Sequence, residues 1–255
     1  MRRRICILLI ITTFISACSK DNAIEGEQPQ SINKILNRQS TGSSAHDLLS
    51  DDNFTSMVIE LVYVEGFEPT QSAIDNLLSF LDNRTFKPNG ITIEKRSIPS
   101  PGKNIYTIED VADIERDLRE KFNTSNQIAV WALFIDGKSD KDVDNKVVLG
   151  TAYWNTSFVI YEDTVQSLSN SPFKPNRSTL ESSVINHEFG HILGLTNLGS
   201  PMQSEHEDLE HPKHCNVESC LMHWTSESVT LISTMNSIPQ LDAQCIADLR
   251  ANGGK

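Results

Sequence analysis

Apolar positions between residues 57 and 161 switch between two periods, and the switches mark the elements. Residues 57–64, Met-Val-Ile-Glu-Leu-Val-Tyr-Val, form a β-branched run of strand length. After Pro69, Ile74, Leu77, Leu78 and Leu81 recur at helical spacing, which predicts an amphipathic helix able to cover one face of a sheet. Residues 91–95 alternate as a second strand, closed by the Pro99-Ser100-Pro101-Gly102 turn. Ile108, Val111, Ile114 and Leu118 are the stripe of a second helix, its cap bracketed by Thr107 and Asp110. Residues 127–135 are apolar without alternation, so burial on both faces and a central strand follow. Gly137 and the polar stretch 140–144 make a loop; residues 147–153 and 157–161 are two more strands around a turn near Asn155.

A Pro/Ser/Asn-rich connection leads to a third helix. Ser178-Thr179-Leu180-Glu181 has the form of a capping box at its start, and Gly194 marks its end. Regular structure is then sparse until Leu241, Cys245 and Leu249 share one face of a final helix that runs to about Asn252, with Cys245 read as a small buried hydrophobe. The order strand, helix, strand, helix, three strands, helix specifies an α+β fold, a mixed twisted sheet backed by helices.

The ends of the chain read differently. Arg2, Arg3 and Arg4 precede an apolar run to about Ile15 that is too short to span a bilayer and has the form of a signal peptide over residues 1–17. Ile15-Ser16-Ala17-Cys18 resembles a bacterial lipoprotein signal, which implies a lipidated Cys18, membrane attachment through acyl chains and a place in the cell envelope. Residues 18–52, rich in Ser, Asn, Gln and acids, read as a flexible tether. The remaining 53–255 suffice for one catalytic domain, with an upper part 53–194 and a lower part 195–255. The leader holds three arginines and no acid, so its removal takes the formal charge from -12 to -15. An acidic surface excludes nucleic acid as a partner, because phosphate binding needs a basic face. A monomer is expected.

The chemistry centres on His187-Glu188-Phe189-Gly190-His191, followed by Ile192-Leu193-Gly194. On a helix, residues four apart share a face, so the two imidazoles converge on one metal ion with Glu188 beside them. Zinc suits them. A catalytic zinc takes three protein ligands and keeps one position open, and a neighbouring Glu serves as general base, here Glu188.

H-E-x-x-H-x-x-G followed by a Met in a tight turn resembles the metzincin clan of zinc peptidases, and the archaemetzincins within it. That family continues with His, Cys, four residues, Cys, one residue and Met; this chain has His214-Cys215-Asn216-Val217-Glu218-Ser219-Cys220-Leu221-Met222. The resemblance implies a zincin-like fold, one catalytic Zn2+, a peptide or protein substrate, and Met222 packed beneath the metal. Two departures qualify it. The clan's third ligand falls at Asn197, an amide that binds zinc poorly, so the expectation passes to His214, with His206, His211 and Asp208 as alternatives. The family's downstream Cys-x-x-Cys, which with the upstream pair holds a structural zinc, is represented only by Cys245. A Cys215–Cys220 disulfide is the first expectation; a remodelled second zinc site and free thiols are the alternatives.

The strand around Gly150 and Ala152 is expected at the sheet edge above the metal, where small residues let an extended substrate approach. In some metzincin families a Tyr two residues past the Met assists the oxyanion; Trp224 stands there and cannot do so in the same way, which leaves His223 beside it as a weak candidate. The leading functional expectation is a zinc-dependent endopeptidase. A gluzincin, with a Glu as third ligand, is the rival enzyme class, and a surface lipoprotein that keeps the scaffold as a binding module is the rival from outside catalysis.

Overall fold

The computed structural model describes residues 33–143, 147–169, 175–227 and 237–255. The leader and the Cys18 lipidation site lie outside the described residues. The described chain starts with a 3-10 turn (Lys34–Asn37) and a short helix α1 (Ala45–Leu49). From residue 33 onward the expected tether is therefore corrected. Leu48 and Leu49 are fully buried. Asn37 donates through Nδ2 to Asn123 Oδ1 at 2.7 Å and to the Ala129 carbonyl at 3.1 Å, and Asn155 Nδ2 donates to the Leu36 carbonyl and Ser44 Oγ at 2.8 Å each. The Lys87 ammonium gathers the carbonyls of Asp47, Ser50 and Phe54. Two core leucines and a set of polar side chains together hold this segment down, and no extended hydrophobic period announces such an arrangement.

Strand β1 (Ser56–Val64) crosses through helix α2 (Gln71–Asp82) to the parallel strand β2 (Ile91–Ile98). A two-residue strand β3 (Ile105–Tyr106) precedes helix α3 (Ile108–Leu118), whose capping box between Thr107 and Asp110 is formed in both directions. Strand β4 (Gln127–Phe134) returns parallel to the other side of β1 and occupies the centre. A short β5 (Lys138–Ser139) pairs with β3, while β6 (Gly150–Trp154) and β7 (Ser157–Ile160) form a hairpin on the main sheet. The main sheet has the order β2-β1-β4-β7-β6, parallel except for β6, which closes it antiparallel at the edge.

Side chains of a strand alternate between faces, and the apolar residues sort that way. Ile59, Leu61, Val130, Ala132, Phe134, Phe158 and Ile160 meet α2 and the long helix α5 (Arg177–Ile192) in one cluster; Val62, Trp131, Leu133, Val159 and Tyr161 meet Val111 and Tyr106 in the other. Helix α4 (Glu162–Ser169) precedes α5 in the stretch read as a mere connection. Its sequence, Glu-Asp-Thr-Val-Gln-Ser-Leu-Ser, lacks an apolar stripe because Glu162, one of its inward residues, is buried in an ion pair with Arg177 Nη2 at 2.9 Å.

The start of α5 also differs from the expected capping box. Asn176 is the cap, accepting from the Thr179 N–H at 2.8 Å, so the helix begins earlier and Glu181 falls too deep to reach back. Glu181 is instead fully buried, paired with Arg177 Nε at 2.7 Å and accepting the Thr70 N–H at 2.9 Å, which ties α5 to the start of α2. The final helix, α6 (Ala243–Ala251), lies where Leu241, Cys245 and Leu249 predict it, and all three are buried. No helix among the described residues is long and apolar enough to cross a membrane.

Candidate active site

Helix α5 is buried from Leu180 to Ile192, and it carries His187, Glu188 and His191 under the β6–β7 edge of the sheet. Gly194, at φ 86°, ends it in the left-handed region that glycine adopts without strain, and its carbonyl accepts the N–H groups of Leu198, Gly199 and Ser200 at 3.1 Å each. The following loop comes back as an antiparallel bridge between Glu207 and Cys215. That bridge delivers His214 to the helix.

His187, His191 and His214 converge, one ring nitrogen of each lying within 4.8 Å of the others. Their ring centroids are 4.7 to 5.3 Å apart. Each Nδ1 faces a backbone carbonyl: Leu221 at 2.7 Å, Leu195 at 3.1 Å and Pro212 at 3.2 Å respectively. A carbonyl only accepts, so each Nδ1 donates, and Nε2 is the nitrogen left to face a metal, the orientation that second-shell carbonyls give to ligating histidines. Three imidazoles beside a carboxylate fit zinc. Asn197, at φ 59°, points its amide to Glu207 Oε2 at 2.9 Å, away from the cluster.

The alternatives to His214 have other partners. His206 is fully buried against Asp248 Oδ2 at 2.7 Å, and His211 pairs with Asp208 at 2.9 Å while stacking on Trp224 with ring centroids 4.1 Å apart. His223 Nδ1 bonds the Thr225 hydroxyl at 2.6 Å, and neither it nor Trp224 lines the cleft.

Two glycines set close approaches here. A Cβ on Gly190 would come within 2.4 Å of Met222 Sδ, so Met222, fully buried, packs directly against the metal helix. A Cβ on Gly150 would come within 2.6 Å of Glu188 Oε1, so the edge strand β6 passes directly over that carboxylate. Tyr153, further along β6, is anchored through its hydroxyl to the buried Glu115. The cleft, about 160 Å³, is bounded by Gly150, Thr151 and Ala152 on the sheet side, by Glu188, His191 and His214 at its floor, and by Val148, Leu198, Lys213 and Thr41 around the rest. Thr41 had no signal in the sequence. Lys213 had only its adjacency to His214.

A second cluster sits below the first. Cys215, Cys220 and Cys245 are all buried free thiols, in place of the expected Cys215–Cys220 disulfide, and Cys245 packs in the core as expected. Their sulfurs and a carboxylate oxygen of Asp242 lie within 4.8 Å of one another. Hydrogen bonds from the Cys215 and Cys245 thiols, joined by the Asp242 and Met222 N–H groups, pull the Cys220 thiol far below its ordinary range, to about 3. Cys215 is pushed up to about 12 by its hydrogen bond to Cys220. Asp242 stands three residues before Cys245, at the N-cap of α6. Three sulfurs and a carboxylate oxygen are a competent donor set for zinc.

No protein-family profile matches the sequence, and no curated protein matches it. Solved structures do. The chain is similar to an archaemetzincin from Methanopyrus kandleri, at 17% identity and a TM-score of 0.52 over 78% of this chain and 96% of that one. A zinc-dependent peptidase from Methanocorpusculum labreanum (14% identity, TM-score 0.46, 75% of this chain and 99% of that one) and metalloproteinase-II from Bacteroides fragilis (14%, 0.43, 80% and 54%) also align. A mostly parallel sheet closed by one antiparallel edge strand, with a buried His-bearing helix beneath it, is in this chain the archaemetzincin fold.

Proposed function

We propose that the protein is a zinc-dependent endopeptidase with His187, His191 and His214 as metal ligands and Glu188 as general base. The observation that carries this reading is the convergence of the three imidazoles, each with Nδ1 turned to a carbonyl, next to a carboxylate at the floor of an open cleft. Zinc bound there supplies Lewis acidity, polarising a carbonyl and lowering the pKa of water. Glu188 takes the proton from the attacking water and gives it to the leaving amine. Strand β6 offers its open edge to an extended peptide as an added antiparallel strand, and Gly150 and Ala152 keep that edge low over Glu188.

The thiol cluster is proposed as a second, structural zinc site in which Asp242 completes the set with Cys215, Cys220 and Cys245. It is linked to the first site through the chain: Cys215 follows His214, and the Cys215 N–H donates to the Met222 carbonyl at 2.8 Å. The leader and Cys18 are proposed to anchor the protein to the cell envelope; Cys18→Ser should move it from the membrane to the soluble fraction, and an unchanged distribution would remove the anchor.

The test of the enzymatic reading is Glu188→Gln beside the parent chain. The variant should bind the same zinc and lose about 10² to 10⁴ in peptide cleavage, the usual worth of a general base. Parent protein that binds zinc at the histidines yet cleaves no peptide in a mixed library would favour the binding-module reading.

A further inference from the structure

We infer that Lys213 is a carboxylate-recognising residue of the cleft, so that the preferred substrates carry a negative group next to the bond that is cut. The inference rests on the peptidase reading for the nature of the ligand. Among the described residues that bound the cleft, Lys213 is the one cation; the others are apolar, hydroxyl-bearing or imidazole side chains, apart from Glu188 at the floor. It directly precedes His214, so any group that it holds lies beside the metal centre.

The backbone supports a selected position. Lys213 has φ 74°, in the left-handed region where a side chain with a Cβ is disfavoured and where Gly or Asn is the usual occupant. It is pinned there: its N–H donates to Glu207 Oε1 at 2.7 Å, and its carbonyl accepts the Thr196 N–H at 3.3 Å. The side chain is exposed, and no carboxylate among the described residues forms an ion pair with it. Glu207, the nearest acid in these bonds, spends its oxygens on the Lys213 N–H and the Asn197 amide. A strained backbone at a residue that bounds the cleft and carries an ammonium with no ion-pair partner among the described residues is the kind of outlier that points to a function rather than to stability.

The acidic balance of the chain sharpens the role. A surface with formal charge -12 repels acidic substrates at long range, but that repulsion is screened within about 8 Å at physiological salt. Inside that distance the Lys213 ammonium offers an acidic group a local positive charge at the cleft wall. The carboxylate it binds has two sources, an Asp or Glu side chain within the substrate or the substrate's own C-terminus, and both present the same two oxygens.

The experiment compares matched peptides with an internal Glu or Gln, and with a free or amidated C-terminus, for cleavage by the parent chain and for binding to the Glu188→Gln variant, which needs no turnover. Each is repeated with Lys213→Asn, neutral and at ease at this φ, and with Lys213→Arg. The charged peptide of one pair should be favoured about fivefold, as for one exposed ion pair. That ratio should fall towards one in Lys213→Asn, return in Lys213→Arg and shrink as salt is raised. The pair that responds identifies the source of the carboxylate. Equal binding of charged and neutral peptides, or a preference that survives Lys213→Asn, overturns the inference; so does failure of every peptide to bind. Charge-dependent binding with no cleavage by the parent overturns the peptidase reading and leaves Lys213 its role.

Discussion

Gly150→Ala tests how closely β6 and Glu188 depend on each other. The added methyl would stand 2.6 Å from Glu188 Oε1 and 2.7 Å from its Cγ, whereas ordinary contact starts near 3.4 Å. The carboxylate and the strand must therefore separate by about 0.8 Å, taking ordinary contact as the endpoint, and a misplacement of about 1 Å in a catalytic group costs about 10²-fold in rate. That corresponds to about 2.7 kcal/mol of transition-state stabilisation. The backbone of Gly150 lies outside the left-handed region, so alanine adopts its φ without strain, and the gain of about 0.4–1 kcal/mol from restricting the unfolded chain offsets part of the cost of that overlap. The expected variant folds, binds the same zinc and turns over a quenched peptide about a hundredfold more slowly. Repeating the change in a Glu188→Gln background closes the cycle: if the methyl acts through the carboxylate, the second substitution adds little. A Gly150→Ala enzyme with parental kcat and parental zinc content would refute the placement of Glu188 under β6 as the working base.

His214→Ala should lose the catalytic zinc and cleavage together, while His206→Ala, which breaks a buried pair with Asp248, should lower the melting temperature and leave the histidine-bound zinc in place; zinc per chain and thermal melts separate the two, and an active, zinc-loaded His214→Ala protein would move the site onto the loop of residues 197–213. The parent should carry two zinc ions per chain and Cys220→Ser one, with a thermal midpoint several degrees lower, since a structural zinc contributes folding free energy outright. A parent that holds a single zinc, all of it lost with His214→Ala, would leave the thiol cluster without a metal.

Much of the fold was legible because its signals are local. The unbroken apolar runs of β1 and β4, the stripe of α2 and the capping box of α3 each need only a few neighbouring residues to interpret, and the pair His187 and His191 shares a helix face by geometry alone. Where polar residues do the packing, that reasoning misled. Helix α4 turns a glutamate inward onto Arg177, α5 takes its cap from Asn176, and residues 33–52 are held by amide side chains from Asn37 and Asn155. In each case the burial is offset by a hydrogen bond or ion pair from a distant residue, which composition cannot reveal.

The H-E-x-x-H motif, the metal class implied by its imidazoles and the position of Met222 belong to the sequence by itself, because each is a statement about residue type and spacing along one element or turn. The completion of the site belongs to the tertiary structure. His214 reaches α5 only through the Glu207–Cys215 bridge, Cys245 meets Cys215 and Cys220 only once α6 has docked, and Thr41 reaches the cleft from a segment that reads as a tether. These convergences join residues 25 to more than 140 positions apart, as between Cys220 and Cys245 or Thr41 and His191. No periodicity spans such a separation; only the packed core, which fixes where each loop begins and ends, selects among the ways those loops could close.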